Sequence, residues 1–239
     1  MRIGLARERA DHLAHFARSE QRGDARLAVA CVVGDDGEVA RAVAELRAAG
    51  GQLDIVIANA GFGVAGMVRS LSLEDYRRQF ETNVFGVLRT IRESVGAMRA
   101  GGRVVIIGSV AGHIAAPGMS AYAMSKFSVR ALSESLRGEL RRDGIGVTLV
   151  SPGYVDSDIR RTDNRGELHD EVPDPIPAWQ RMRADRAARQ IVRGIARGRA
   201  ELVITAHGKA LVFVSRHFPW LVRWIAGRRT TWRREPGSR

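Results

Sequence analysis

The stretch Ser109-Val-Ala-Gly-His-Ile-Ala-Ala-Pro-Gly-Met-Ser-Ala-Tyr122-Ala-Met-Ser-Lys126 decides how the rest of the chain is read. It follows Arg103-Val-Val-Ile-Ile-Gly108, a β-branched apolar run with the character of a buried strand. From Ala121 onward, Phe127, Leu132, Leu136 and Leu140 can share one face of a helix. Ser109 therefore stands at a strand end. Tyr122 and Lys126, one helical turn apart, emerge on the same face about 6 Å apart at Cβ. A phenol with a pKa near ~10 is a weak acid–base group at neutral pH, and an ammonium within ~4–6 Å favours its phenolate. Lys126 is thus the group expected to tune Tyr122.

Upstream lie Asn83, in Glu81-Thr-Asn-Val-Phe-Gly86, and Asn59-Ala-Gly61. The ordered set Asn59-Ala60-Gly61, Asn83, Ser109, Tyr122, Lys126 resembles the short-chain dehydrogenase/reductase family, over about residues 2 to 206. The resemblance implies an α/β, Rossmann-like, doubly wound parallel sheet. It also implies an oxidoreductase passing a hydride between NADP(H), with NAD the alternative, and an alcohol or carbonyl substrate. On that reading Tyr122 exchanges the proton, Ser109 hydrogen-bonds the substrate oxygen, Lys126 binds the nicotinamide ribose and Asn83 anchors a relay water. Asn59, Ala60 and Gly61 pass beside the cofactor. Ser151-Pro-Gly-Tyr-Val-Asp-Ser157 resembles the loop that contacts the nicotinamide carboxamide, through Pro152, Gly153, Val155 and Ser157, the last replacing a threonine. Residues 158–180, with three prolines, match a variable substrate lid, and the family likeness implies a homo-oligomer.

The rest of the chain reads as alternating strands and helices. Strand character appears at residues 1–7, 27–33, 53–58, 103–108, 146–150 and 201–206, and helical spacing at 9–22, 39–49, 73–98, from 121, and 182–197. Continuous apolar strands between helices indicate a parallel sheet covered on both faces. In the helix over 73–98, Tyr76, Phe80, Val84, Val87, Leu88, Ile91, Val95 and Met98 form the apolar stripe, and Asn83 interrupts it. Gly61-Phe-Gly-Val-Ala-Gly66 matches a dinucleotide fingerprint literally. A phosphate cradle, however, needs its third glycine already inside a helix. Here the helix signal waits for Ser72 and Asp75, a capping-box start, so the match reads as a decoy.

A chain of 239 residues is long enough for one α/β domain with a large core. The single cysteine, Cys31, excludes an intrachain disulfide and suits a reducing, cytoplasmic setting. The net charge of +12 is unevenly spread: residues 1–176 hold 23 basic and 23 acidic side chains, residues 177–239 hold 15 and 3. No nucleic-acid module accompanies that basicity, so no nucleic-acid partner is expected. No histidine set has metal-ligand spacing, and no metal is assigned. The domain is read as residues 1–207 and the remainder, 208–239, as a basic, aromatic tail. Arg216, His217, Pro219 and Arg223 interrupt the tail, which cannot span ~20 apolar residues of bilayer. Trp and Phe beside Arg leave two readings: residues 209–239 lie peripherally on the inner face of a membrane, or they cover the substrate mouth or a contact between copies.

Against the family pattern, the opening strand and its glycine-rich turn are missing, so the fold is expected to be truncated by one strand and one helix. The absent strand belongs between residues 2–7 and 53–58. Met1 is therefore expected to be a truncated or misassigned start, about thirty to forty residues short. Arg7 stands where a basic residue meets an adenosine 2′-phosphate, the basis for preferring NADP. Val32 replaces an aspartate at the adenine, and Ala58 replaces an asparagine. The adenosine half of the cofactor site is compromised, which keeps alive an inactive fragment or a non-enzymatic binding protein of the same fold.

Overall fold

The computed structural model of the chain describes residues 3–7 and 26–228; the helix expected over residues 9–22 lies outside them. Six strands appear: β1 (Ile3–Arg7), β2 (Arg26–Ala30), β3 (Leu53–Ala58), β4 (Met98–Ile107), β5 (Gly146–Pro152) and β6 (Glu201–Ile204). Seven helices accompany them: α1 (Asp36–Gly50), α2 (Leu73–Phe80), α3 (Gly86–Val95), α4 (Ser120–Glu139), α5 (Ala184–Ala196), α6 (Ala206–His217) and α7 (Pro219–Arg228). Every strand pair is parallel. β1 pairs with β2, and β3-β4-β5-β6 form a separate four-stranded sheet in that order, as crossovers through helices require. Among the described residues, β1 and β3 share no ladder.

The local signals account for the element ends. Asp35 caps α1 by accepting from the Glu38 amide, and Gly51, at φ +78°, ends it in a conformation a side chain would resist. Ser72 and Asp75 close a reciprocal capping box at α2. The helix expected over 73–98 is not continuous: α2 passes through a π turn, Glu81–Phe85, into α3, and Met98 already belongs to β4. The phase of its buried face also differs from the apolar stripe. Gln79, Asn83, Val87, Ile91 and Ser94 point inward, while Phe80 and Val84 are only partly covered. The inward positions are spaced by four and three along the helix, so Gln79 and Asn83 share one face, and Asn83 falls within the π turn.

α3 and α4 cover one face of the sheet, where Val56, Ala58, Val104, Ile106, Val147 and Leu149 meet Val87, Ile91, Val129 and Leu136. α5 covers the other through Ala187, which packs with Val105, Val150 and Ile204. The sheet is therefore doubly wound, with one exception at β3. Val56 and Ala58 face the core, but Ile55 and Ile57 on the opposite side are 47% and 50% exposed. On α4, Phe127 is also exposed rather than on the inner stripe, because Lys126, Ser125 and Val129 occupy the buried face at that level.

This packing predicts unequal costs for two isoleucines. Ile106→Ala, at a fully buried site, should lower unfolding free energy by about 2–5 kcal/mol. Ile57→Ala should cost less than about 1 kcal/mol, because half of its surface is already wet. Urea unfolding of the two variants measures both, and equal losses would contradict the open face of β3.

Candidate active site

β4 ends at Ile107, and Ser109 follows in extended conformation, where its hydroxyl accepts the Ala111 amide and caps the 3-10 turn Val110–Gly112. The Tyr122 phenol lies near enough to the same hydroxyl for Ser109 to draw its pKa down. Tyr122 lies in the first turn of α4, and Lys126, one turn on, is only 4% exposed. Gly112 sets the distance between turn and helix: a Cβ there would stand 2.7 Å from the Lys126 carbonyl oxygen. Ser109, Tyr122 and Lys126 are thus brought together by a strand end, a turn and a helix crossing it in backbone contact.

Burial dominates the electrostatics of the pair. The Lys126 ammonium donates to the Ile107 carbonyl oxygen at 3.0 Å and lies 5.7 Å from the centre of the Tyr122 ring. Burial raises the Tyr122 pKa above that of a free phenol. Ser109 and the positive charge of Arg160 pull it down. The lysine pays its own desolvation instead, which takes its pKa from 10.5 to about 8.

Asn83, fully buried in the π turn, is fixed through both ends of its amide. Its Oδ1 accepts the Phe62 amide at 3.1 Å, and its Nδ2 donates to the Phe62 carbonyl at 3.0 Å and to Ser125 Oγ at 3.2 Å. Ser125 donates in turn to the Tyr122 carbonyl. Asn83 therefore ties the loop after β3 to the helix that carries Tyr122 and Lys126. Gly61 keeps the space between them open: a Cβ there would be 2.9 Å from Asn83 Oδ1 and 3.7 Å from Lys126 Nζ. Asn59, Ala60 and Gly61 are exposed along this opening.

The glycine-rich loop is held as a wall of the site and has few amides free for phosphate. The Phe62 amide is taken by Asn83, Val64 by Gln79 Oε1 at 2.6 Å, Ala65 by Asn164 Oδ1 at 3.0 Å and Gly66 by the Gly118 carbonyl. A phosphate cradle requires those donors to be unpaired. At Gly63 a Cβ would touch the Tyr122 ring at 3.6 Å and Ile159 at 4.0 Å, so the loop, the phenol and the lid converge there.

One carboxylate, Asp174, gathers the arginines of the segment at residues 158–181. Arg160 binds Asp174 through Nε and NH2, Arg181 adds a bond at 3.0 Å, and Arg160 holds the Asp174 carboxyl well below the usual carboxylate range. Gln79, Asn164, Arg160 and Asp174 were not anticipated from the sequence. Gln79 alone left a signal, as a second amide four residues before Asn83 on one helix face. Asp163, Glu167 and His169 bring their ligand atoms within 4.8 Å of one another at the lid surface, a grouping spacing did not suggest. Asp163 already accepts the Arg165 and Glu167 amides and pairs with His169.

Pro152, Gly153 and Val155 are partly buried and Ser157 is exposed. His207, at the start of α6, accepts the Tyr154 amide at 2.9 Å and packs on the Tyr154 ring, while a side chain at Gly153 would collide with His207 and Thr205. Thr205 holds φ +86°, an unfavourable value for a β-branched residue, and its hydroxyl caps α6 through the Gly208 amide. Arg7 ends β1 opposite Ala30.

Lys126 carries a pH signature. Below about pH 8 the native chain holds a desolvated ammonium, which opposes folding in full. Between about pH 8 and 10.5 the native lysine is neutral while the unfolded chain still binds the proton, so stability rises with pH. Relative to Lys126→Met, the parent chain should therefore be least stable below pH 8 and recover above it, as measured by urea unfolding at pH 7 and pH 10. A difference that does not change with pH would show that the lysine is not desolvated.

A short chain dehydrogenase family model matches residues 1–168. The chain is 39% identical over 117 residues to the uncharacterized oxidoreductase YbbO of Escherichia coli, covering 48% of this chain and 43% of that protein. It is 37% identical over 127 residues to dehydrogenase/reductase SDR family member 7B of Bos taurus, covering 52% and 39%. The matched part thus spans about two fifths of these relatives. In structure, it resembles a short-chain dehydrogenase/reductase from Burkholderia phymatum in complex with NAD, with a TM-score of 0.74 at 24% identity over 92% of this chain and 86% of that one. It also resembles an alcohol dehydrogenase from Thermococcus sibiricus complexed with 5-hydroxy-NADP, with a TM-score of 0.72 at 21% identity over 84% of each. With the strand-end serine, the tyrosine and lysine one turn apart and the parallel sheet that aligns them, the chain belongs to the short-chain dehydrogenase family.

Proposed function

We propose that the chain acts as an oxidoreductase interconverting an alcohol and a carbonyl compound with NADP(H), NAD being the alternative cofactor. The observation that carries this reading is Tyr122 beside Ser109 and a buried Lys126, 5.7 Å from the ring centre, with an open space at Gly61. Bound nicotinamide would supply or accept the hydride. The residues that fit its nicotinamide half are Asn59, Ala60, Gly61, Lys126 and the 152–157 loop braced by His207; among the described residues the glycine loop offers little for the pyrophosphate.

In reduction, Tyr122 donates its phenolic proton to the carbonyl oxygen, and its raised pKa keeps that proton in place at neutral pH. Ser109 orients the oxygen by hydrogen bonding. Lys126 presents its charge to the ribose side below about pH 8, and Asn83 holds the loop and helix at the spacing a relay water needs. Tyr122→Phe should lower turnover by about 10²–10⁴-fold with cofactor affinity nearly unchanged. Retained turnover would reject the role. Arg7→Ala should weaken NADP more than NAD, and equal efficiency with both cofactors, before and after the change, would remove the NADP preference.

The second reading, a non-catalytic binding protein or inactive form of the fold, is favoured by Val32 and Ala58 on the adenosine side. Titration of NADPH fluorescence separates the two, because an enzyme must bind the cofactor. Phe85, Met124 and Phe127, exposed together on the π turn and α4, support a homo-oligomer, and sedimentation at the monomer mass would exclude it. Residues 209–239 are read as a peripheral membrane contact. α6 and α7 expose Leu211, Phe213, Phe218 and Trp220, and no helix among the described residues is long and apolar enough to cross a bilayer.

A further inference from the structure

An open groove of about 440 Å³ lies on the side of the molecule formed by α5, β6 and the start of α6. Its floor is the strand β6, which ends the sheet, and its walls carry Arg193, Arg197, Arg199 and Lys209. All four cations are exposed, and among the described residues none pairs with a carboxylate. The one acidic side chain in the groove, Glu201, is already held bidentately by Arg216 at 2.7 Å. Most other arginines on this part of the surface have partners: Arg183 and Arg189 share Asp185, and Arg181 binds Asp174. A concave site with four uncompensated cations and a neutralised carboxylate is complementary to an anion of more than one charge.

The groove continues into the aromatic surface of α6. Lys209, Phe213 and His217 follow one another at intervals of four on one helix face. Phe213 stacks on His217 with ring centres 4.3 Å apart and contacts Phe218 at 6.3 Å. Phe213 is 55% exposed and Trp220, just inside α7, 62%. Aromatic rings beside arginine and lysine suit the boundary between lipid headgroups and acyl chains, where the rings enter the apolar layer and the cations stay with phosphate. A second copy on the same face would set these cations against their own counterparts, which disfavours a contact between copies.

We infer that the α5–β6–α6 groove is a headgroup site for anionic phospholipid, and that it gives the tail's membrane contact its selectivity for charged lipid. The inference rests on the membrane reading of the tail but can fail separately from it. The rings of α6 and α7 provide adhesion to any bilayer, and Arg193, Arg197, Arg199 and Lys209 provide preference for an anionic one.

The test is co-sedimentation of the full chain with vesicles of phosphatidylcholine alone and with about 30% phosphatidylserine, at about 0.1 M salt. The parent should bind the anionic vesicles at least about tenfold more tightly. Arg193→Glu with Arg197→Glu should abolish that preference and leave the weak neutral binding, while Arg193→Lys with Arg197→Lys should retain it. Phe213→Ser with Trp220→Ser should weaken binding to both vesicle types. Equal binding to both types, unchanged in the Glu variant, would overturn the headgroup site and leave the membrane reading standing. Absence of vesicle binding would overturn both. Loss of binding together with a fall in oligomer mass would reassign the groove to a contact between copies, and tight binding of a single-stranded oligonucleotide without vesicle binding would reassign it to nucleic acid.

Discussion

The arrangement depends on keeping one ammonium out of water. Lys126 is buried with a single backbone acceptor, the Ile107 carbonyl at the end of β4, and an ion in that position tolerates little displacement. The end of β4 must reach it, which aligns the strand with α4. The 3-10 turn must cross α4 in backbone contact, which only a residue without a side chain permits at Gly112. Ser109, between strand and turn, then meets the Tyr122 phenol as a consequence of the same crossing. The candidate site and the structural constraint are one assembly.

Side-chain amides do the second part of the positioning. Asn83 and Gln79 lie on one buried helix face and together hold the backbone of Phe62 and Val64, while Asn164 reaches back from the lid to Ala65. Each such bond contributes about 0.5–1.5 kcal/mol net, and leaving its buried partner unpaired costs more. The loop is therefore specified from three sides, and the site has a firm wall where the glycines alone would allow many conformations. Their spacing of four residues is what puts both amides on one face, Asn83 within the π turn.

The far side is braced from the C-terminal helices. α6 is continuous with the fold: Val212 is buried, Ser215 donates to the His113 carbonyl, and His207 secures the Tyr154 amide. The boundary drawn at residue 207 thus falls at a capping turn, within a unit whose first residues support the loop assigned to nicotinamide. The strained Thr205 sits at that junction, where its hydroxyl meets the Gly208 amide and His207 Nε2.

Local periodicity by itself determined the alternation of strands and helices up to residue 204, the parallel sheet and the alignment of Ser109, Tyr122 and Lys126, because those depend on spacing along a continuous segment; the helices Ala206–His217 and Pro219–Arg228 were not among its elements. It also exposed the Gly61–Gly66 fingerprint as misplaced, since a helix cap eleven residues after the first glycine is visible in the residues alone. The tertiary structure alone decided the π turn, the Arg160–Asp174 clamp, the Asn164 and His207 contacts, and how far burial shifts the Tyr122 and Lys126 protons. Asn164 is 99 residues from Ala65 and His207 is 53 from Tyr154. Contacts across such separations leave no period in the sequence, and a pKa set by desolvation exists only once neighbouring elements have excluded the water.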